Sequence, residues 1–330
     1  MDRHHSLISA GHWLRSHLGI NRIGPVLGLL AVYGLFMLIG PDSFCSGYNL
    51  ETIARQSTIT GMAALGMTMV IILGGIDLSI GSVIALGTVA IAALLQAGCS
   101  PLVAALGGIL AGALCGLFNG LLITRLRMVP FIVTLGTLLM VRGTAKGLAH
   151  EQKIDAPITW LNNLLAAIGP NDPQILVPWG VWLLVVLSLV VGGMLRYTQF
   201  GRHIFAVGSN ELTARLCGVA VERVKLIVYT LCGLFGGLAS LMQFSRLTVG
   251  DPTVAVGQEL DVIAAVVIGG GSLSGGEGSI LGTLIGALIM TVIRSGCSQM
   301  GLPNWVQEIV TGLIIVLAVT LDRLRHRAIH

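Results

Sequence analysis

The side chains that could do chemistry in this sequence are polar residues set among long apolar runs. Asp77 and Ser79 lie between two such runs, Asn119 lies within a third, and Asp261 lies near the start of a fourth. A carboxylate in hydrocarbon costs several kcal/mol unless it is paired or hydrated, so these residues are candidates for the pathway or gate of a transported molecule. Two of them also have a structural alternative. Asp77 caps the third span instead of acting at a gate, which is the interpretation we favour. Asn119 forms a hydrogen bond between helices rather than a sugar contact.

Enzyme chemistry is not indicated by the residue types and their spacing. The sequence has no nucleophile–base pair, no paired carboxylates and no metal-ligand spacing, so we predict no catalytic residue and no metal site. Its six cysteines are scattered without a CxxC pair and are interpreted as apolar core residues. Segment 273–277 (LSGGE) is like the signature loop of ATP-binding cassette ATPases, but no lysine follows a glycine as a phosphate loop requires. We expect this chain to bind neither ATP nor any other cofactor.

The elements that must position these residues are transmembrane helices. Hydrophobic residues make up 54% of the chain and charged residues only 10%, against about 25% in soluble domains. Apolar runs bounded by turn signals predict an all-α membrane protein with about ten spans in a single domain, 1–330. The spans are 24–40, 56–73, 79–97, 102–124, 131–149, 178–195, 226–245, 259–272, 279–296 and 305–321.

The distribution of basic residues predicts that both termini are cytoplasmic. With a cytoplasmic N-terminus, 13 of the 19 lysines and arginines fall in inside segments, as the positive-inside rule requires. The short basic segment 1–23 is then cytoplasmic, and the first apolar run is a retained helix rather than a cleaved signal. Arg142 and Arg294 lie within predicted spans, where each must pair or reach an interface.

Two hydrophilic segments separate the spans. In 150–177, on the outside, the apolar residues Trp160, Leu161, Leu164, Leu165 and Ile168 predict a short helix lying on the membrane surface. In 196–225, on the inside, Ser209 or Asn210 is placed to cap a helix that starts near Glu211 and ends at Gly218. That helix is either a docking element or part of an ordinary basic loop.

Glycines recur at four-residue spacing and predict close helix contacts. Gly108, Gly112, Gly116 and Gly120 lie on one face of the fourth span, and the pairs Gly233/Gly237 and Gly282/Gly286 repeat the pattern. A weaker internal repeat relates two glycine-rich segments, 74–82 and 270–279, each of which precedes a longer apolar run. In transporters, such interrupted spans in two halves of a chain can mark the pathway.

Four motifs in order make the sequence similar to the permeases of ribose-type importers of the ATP-binding cassette (ABC) class. They are Gly-Gly-Ile-Asp-Leu-Ser-Ile-Gly-Ser at 74–82, Thr-Leu-Gly-Thr with Arg-Gly at 134–143, the Gly-Arg…Gly-Ser-Asn…Gly-Val loop at 201–225, and the pattern at 259–283. The resemblance covers about residues 50–321.

This resemblance implies a type II ABC importer-like permease in a bacterial inner membrane. It implies three kinds of protein partner: a second permease, identical or paralogous, two cytoplasmic ATPase domains that use ATP, and a periplasmic sugar-binding protein. Nucleic acid is not among the implied partners. The cargo is a monosaccharide whose identity stays open. The ATPase-coupling residues it implies are Gly201, Arg202, Gly208, Asn210, Ala214, Gly218, Val219 and Lys225.

Two other functions remain as alternatives. Permeases for branched-chain amino acids are distantly similar to the ribose type, but the motif at 74–82 and the loop pattern favour sugar transport. An ion-coupled secondary carrier would work without an ATPase, and it would need more buried acidic residues on the pathway than Asp77 and Asp261.

Overall fold

The computed structural model describes residues 20–167 and 177–327, and these residues form an almost entirely helical bundle. Much of segment 1–23 and Ile168 therefore lie outside the described residues. The first six helices are α1 (Ile20–Ile39), α2 (Gly47–Ile72), α3 (Ile80–Gln96), α4 (Pro101–Arg125), α5 (Pro130–Leu148) and α6 (Trp179–Tyr197). The remaining six are α7 (Gln199–Ser209), α8 (Glu211–Leu216), α9 (Val221–Leu247), α10 (Gln258–Ile268), α11 (Ile280–Gln299) and α12 (Asn304–Arg327).

Each of the ten predicted spans overlaps one of these helices. Within the described residues, five helices are long and apolar enough to cross a membrane: α4, α5, α6, α9 and α11. α2 is long but carries many polar side chains, and α10 has only 11 residues. At about 1.5 Å per residue, α10 covers roughly half of a hydrocarbon core about 30 Å thick.

The centre of the bundle is α2, which is buried at every position from Ser57 to Ile72. It packs against α9, α10 and α11, whereas α4, α5 and α6 expose leucines and valines on their outer faces. α9 packs most extensively against α4. The predicted glycine faces meet there, because a Cβ atom at Gly116 would overlap the Tyr229 carbonyl oxygen and one at Gly233 would overlap the Gly112 oxygen.

The two ends of the bundle carry different short elements, and we call them the α8 end and the β end. The α8 end holds α7 and α8 together with the start of α9. The β end holds a two-residue antiparallel pair, β1 (Ile154–Asp155) with β2 (Val249–Gly250), which follows the last residue of α9. Since α9 has 27 residues, the two ends lie about 40 Å apart along it.

The segment predicted to lie on the membrane surface instead fills the β end of the bundle. It forms a short 3₁₀ helix, Trp160–Leu164, and the side chains of Leu161 and Leu165 are fully buried in the main core. The Arg55 side chain donates a hydrogen bond to the Leu165 carbonyl oxygen at 2.7 Å, and the Ser245 hydroxyl accepts one from the Leu165 amide at 2.8 Å. The surface prediction is wrong for these leucines because the bundle offers them an apolar site.

Candidate functional site

The first candidate site is the connection between α6 and α9. As predicted, the Asn210 side chain caps α8 by accepting a hydrogen bond from the Thr213 amide at 2.8 Å. Gly218 follows this helix with a φ of 84°, which suits a residue without a side chain. The prediction of one helix in this connection is wrong, since α7 forms as well and contains Gly201, Arg202 and Gly208. α9 also begins earlier than predicted, so Lys225 lies in its second turn.

The short helix α8 presents an apolar face to solvent. Leu212 and Leu216 are 68% and 81% exposed, and Cys217 beside them is exposed too. Ala214 and the partly buried Val219 face the opposite way and pack into the core. Two exposed leucines on six residues are unusual for a helix end that only contacts water, and they suit contact with another protein.

Ion pairs hold α8 in place against the start of α9. The Lys225 ammonium lies 2.6 Å from the Glu211 carboxylate, and the Arg215 guanidinium lies 2.7 Å from that of Glu222. Arg215 also approaches Glu211 at 3.4 Å, so the three contacts form one connected network. Exposed pairs stabilise little individually, but a network of this kind fixes the orientation of a short helix.

Next to α8, the last turn of α7 touches the two glycine-rich loops that the sequence analysis singled out. The Gly276 amide donates a hydrogen bond to the Ile72 carbonyl oxygen at 2.8 Å. Gly208 lies directly on this bond, because a Cβ atom built there would overlap the Ile72 oxygen and lie 2.8 Å from the Gly276 nitrogen. A Cβ atom at Gly275 would lie 3.0 Å from the Gly74 Cα. We call this contact of α7 with loops 73–79 and 269–279 the glycine joint.

Three of the four pathway candidates lie together, close to the glycine joint. The Asp77 carboxylate accepts hydrogen bonds from the Ser79 amide at 2.8 Å and from the Ser79 hydroxyl at 2.6 Å. The Asn119 amide group donates to the Ser79 hydroxyl at 3.0 Å, so this triad joins loop 73–79 to α4. All three residues are buried.

The favoured prediction for Asp77 is correct only in part. Its carboxylate accepts a backbone N–H bond, but that amide belongs to Ser79, which is itself the N-cap position of α3 and makes no capping bond with its side chain. Asp77 therefore stabilises the turn before the helix rather than the first helical turn. The bond from Asn119 runs from α4 to the loop, which is close to the helix–helix role considered for it.

The fourth pathway candidate, Asp261, lies at the β end of the bundle. Its carboxylate forms an ion pair with Arg294, which resolves the partner of both residues. Arg142 finds backbone partners instead and donates to the carbonyl oxygens of Pro252 and Val254 at 3.1 and 2.6 Å. Arg142 and Arg294 therefore find partners within the protein, whereas Asp261 Oδ1 is buried without a hydrogen-bond partner among the described residues.

Two adjoining cavities open at the β end, the smaller of them lined by Asp261, and we call them together the polar cavity. Their volumes are about 270 and 220 Å³, and both are lined by Gln56, Arg246 and Arg294. The larger one is lined only by polar or charged residues: Asn49, Thr52, Gln56, Arg246, Arg294, Ser295, Ser298, Gln299 and Gln307. The sequence analysis missed this site, although Gln56 and Gln243 within apolar runs were a signal for it.

Near the polar cavity, Asp251 follows β2 outside the helices. Burial raises the pKa of its carboxyl group, but hydrogen bonds from Thr253 and the Lys153 ammonium outweigh that and hold the pKa below its usual range. The Lys153 nitrogen lies 3.3 Å from this carboxylate, so the pair ties β1 to the end of β2. Within residues 20–167 and 177–327, no cluster of three acidic, cysteine or histidine side chains is arranged to hold a metal ion.

Comparison with known proteins identifies a family and several relatives of this chain. Residues 49–319 match the sequence model of a family described as "branched-chain amino acid transport system / permease component". The ribose import permease protein of Escherichia coli K12 is 37% identical over 297 residues, which are 90% of this chain and 92% of that protein. The L-arabinose ABC transporter permease of Azospirillum brasilense is 38% identical over 306 residues, 93% and 88%. The fructose import permease of Rhizobium meliloti is 36% identical over 303 residues, 90% and 83%.

Proposed function

The chain belongs to this family of transport-system permease components, and from that premise we propose that it is the permease subunit of a bacterial ABC importer for a monosaccharide. The observation that carries the proposal is the exposed apolar face of α8, held rigidly by the network of ion pairs. The family description mentions branched-chain amino acids. The relatives named for ribose, arabinose and fructose favour a sugar.

The proposed topology has ten spans, with both termini and α8 in the cytoplasm of a cell whose inner membrane holds the protein. The α8 end carries Arg125, Arg127, Arg196, Arg202, Arg215, Arg223 and Lys225, which is the basic bias of a cytoplasmic side. The β end then faces the periplasm. α10 runs from that side toward the α8 end, where Gly269 packs against Gly282 and loop 269–279 joins α10 to the start of α11.

The proposed partners follow from this topology. Leu212 and Leu216 of α8 insert into a groove on one of two cytoplasmic ATPase subunits, which supply the ATP hydrolysis that this chain lacks. A second permease, identical or paralogous, completes the pathway. A periplasmic sugar-binding protein delivers the monosaccharide to the β end. This arrangement uses each end of the bundle for a different partner.

The glycine joint is the proposed route by which the ATPase moves the spans. α7 follows α6 and precedes α8, and Gly208 touches the backbone of Ile72, the last residue of α2, and of Gly276 in loop 269–279. Because backbone contacts at this distance leave no slack, a displacement of α8 moves loops 73–79 and 269–279 together. These loops hold the ends of α2, α3, α10 and α11, so the motion reaches the centre of the bundle and gives alternating access.

Asp77, Ser79 and Asn119 are proposed to act at the cytoplasmic gate. They are buried and hold loop 73–79 against α4, which suits a closed state of this end. Asp261 lies on the polar cavity at the opposite end, so the four candidates serve two different points of one pathway. The gate opens when the glycine joint separates the two loops.

The test is copurification of an ATPase with the detergent-solubilised chain from its native membrane, with Leu216→Asp beside the wild type. We expect the wild type to bring down an ABC ATPase and the variant to lose it, because a charge cannot be buried in an apolar groove. Leu126→Asp is the matched control, since Leu126 is an exposed leucine of the same end outside α8. Recovery of no ATPase with well-folded wild type, or equal recovery with Leu216→Asp, would contradict the proposal.

A further inference from the structure

Forming the polar cavity costs free energy in a bundle of membrane helices. Polar side chains within spans are costly unless they face one another, water or a transported molecule. Here α2, α9, α10 and α11 all turn such side chains toward the same space, including Gln56, Gln243, Arg246 and Thr291. A water molecule occupies about 30 Å³ in the liquid, so cavities of about 270 and 220 Å³ have room for a ligand as large as several waters.

The lining groups suit hydroxyl groups better than ions. Amide side chains such as Gln56 and Asn49 offer donors and acceptors together, and a hydroxyl group also does both. Arg246 makes no ion pair among the described residues, so its fork of N–H groups is available to two neighbouring oxygen atoms. A row of vicinal hydroxyl groups presents such oxygens.

Asp261 adds an acceptor that no protein group uses. One of its carboxylate oxygens pairs with Arg294, while Oδ1 is buried without a hydrogen-bond partner in the described part of the chain. An unsatisfied buried acceptor costs about 1–3 kcal/mol, so a ligand that supplies a donor is favoured here. An ionised carboxylate has no donor to offer, and Asp261 would repel any anion, phosphate included, whereas a hydroxyl group satisfies Asp261 and Arg246 at once.

We propose that the polar cavity is a low-affinity transit site for an uncharged monosaccharide, which Arg246 and Asp261 hold by neighbouring hydroxyl groups while Gln56 bridges the two chambers. The proposal rests on the proposed function and adds the ligand chemistry and residues of its periplasmic entry. No aromatic side chain lines either chamber, so the stacking area that gives tight binding is missing. Weak binding suits a site that must release its ligand onward.

The first experiment measures uptake of radiolabelled ribose, L-arabinose and fructose by proteoliposomes containing the whole transporter. We expect Gln56→Leu and Arg246→Gln to lower the initial uptake rate about tenfold or more, because each leaves sugar hydroxyl groups unsatisfied. ATPase copurification should stay within about twofold of wild type, because α8 lies at the opposite end of the bundle. Gln96→Leu is the matched control, as Gln96 is an exposed glutamine at the same end of the bundle.

The outcomes separate this inference from the proposed function. Wild-type complex that binds no ATPase overturns the proposed function itself. Normal sugar uptake by both cavity variants, with the ATPase bound, overturns the transit site alone. Arg246→Lys distinguishes the guanidinium fork from charge, since it keeps the charge and should remain impaired. Full rescue by lysine would contradict the two-oxygen contact.

A second measurement covers the case in which the cavity variants do not fold. Gln56→Cys, in a chain with Cys45 and Cys217 replaced by serine, is labelled by a small water-soluble thiol reagent. We expect millimolar concentrations of the transported sugar to slow labelling severalfold, and the same concentration of acetate or inorganic phosphate to leave it unchanged. Equal labelling with and without sugar would overturn the site, and protection by phosphate would overturn its preference for uncharged ligands.

Discussion

The α8 end and the β end of this bundle differ in the kind of contact that they contain. At the α8 end the contacts that matter run between backbones, with Gly208, Gly275 and Gly276 leaving no space for a side chain. At the β end long polar side chains surround an open volume, and Gln56, Arg246 and Arg294 reach into it. This difference supports the two proposals, that the α8 end transmits movement and that the β end accommodates a ligand. Substitutions should therefore act differently at the two ends.

The largest effect is expected at the glycine joint. Gly208→Ala adds one methyl group that must displace the Ile72 carbonyl oxygen or the Gly276 amide, and both are fixed by their mutual hydrogen bond. We expect a loss of roughly 2–3 kcal/mol in the free energy of unfolding and near-complete loss of ATP-driven uptake. Thermal unfolding in detergent and proteoliposome uptake measure the two effects.

Gly193→Ala in α6 is the control for the glycine joint, since a Cβ atom there meets no neighbouring atom within 4 Å. It should leave both measurements unchanged. If Gly208→Ala behaved like this control, the backbone contact would not transmit movement, and the contrast between the ends would fail.

The next effect concerns the buried triad. Ser79→Ala removes the hydroxyl that donates to Asp77 and accepts from Asn119, leaving two buried polar groups without that partner. We expect a loss of about 2 kcal/mol in the free energy of unfolding, measured by thermal denaturation. Ser82→Ala is the matched control, because the Ser82 hydroxyl is also buried but makes no hydrogen bond among the described residues.

Asp77→Asn tests whether the charge of Asp77 matters apart from its hydrogen bonds in the triad. Its side-chain oxygen still accepts from the Ser79 amide, so the fold should persist with about 1 kcal/mol lost. Uptake then reports on the gate. Normal uptake with normal expression would end the gate hypothesis for Asp77 and leave only its role in the turn.

A smaller effect is expected from Arg294→Gln at the β end. The change leaves the Asp261 carboxylate without its ion pair, but the Arg294 side chain is 45% exposed and water reaches this wall of the cavity. We expect a loss of roughly 1–2 kcal/mol in unfolding free energy rather than the 3–5 kcal/mol of a fully buried pair. Chemical denaturation measures it, and a loss as large as that at the glycine joint would mean that the β end is dry and rigid.

The smallest effect is a pH dependence at the Lys153–Asp251 pair. Because the folded state lowers the pKa of Asp251, the pair stabilises the fold above the ordinary aspartate pKa and the gain disappears as pH falls through the lowered value. The contribution is about 0.5 kcal/mol, since the Lys153 side chain is 66% exposed. Lys153→Met should flatten the acid side of the melting-temperature profile, while Lys146→Met, at another exposed lysine, should not.

The sequence predicted the helices well, since hydrophobic runs and turn residues are local signals. Each of the ten predicted spans overlaps a helix, and the Asn210 cap and the end of α8 before Gly218 agree with the structure, while the crossing of the membrane by all ten stays a prediction. The glycine faces of α4 and α9 were also visible, because spacing alone places small residues on one side of a helix.

Other features depended on distant parts of the chain. The bond from Asn119 to Ser79 spans 40 residues and the contact of Gly208 with Ile72 spans far more, so neither has a local signal. α7 was missed because Gly201 and Gly208 favour a loop by propensity. Thr198 caps it, and Ile204 and Val207 bury its inner face. The polar cavity needs four helices to meet, and a single polar residue in each apolar run does not reveal that meeting.

The enclosure of α2 has a consequence for how the protein is made. This helix lies within the bundle and carries too many polar side chains to be apolar enough for a membrane on its own. Two of the helices that surround it, α9 and α11, are translated long after it has left the ribosome. Thr58 and Thr68 bond to carbonyl oxygens of α2 itself, but the Asn49 side chain meets Ser295 only when the last part of the chain has been made.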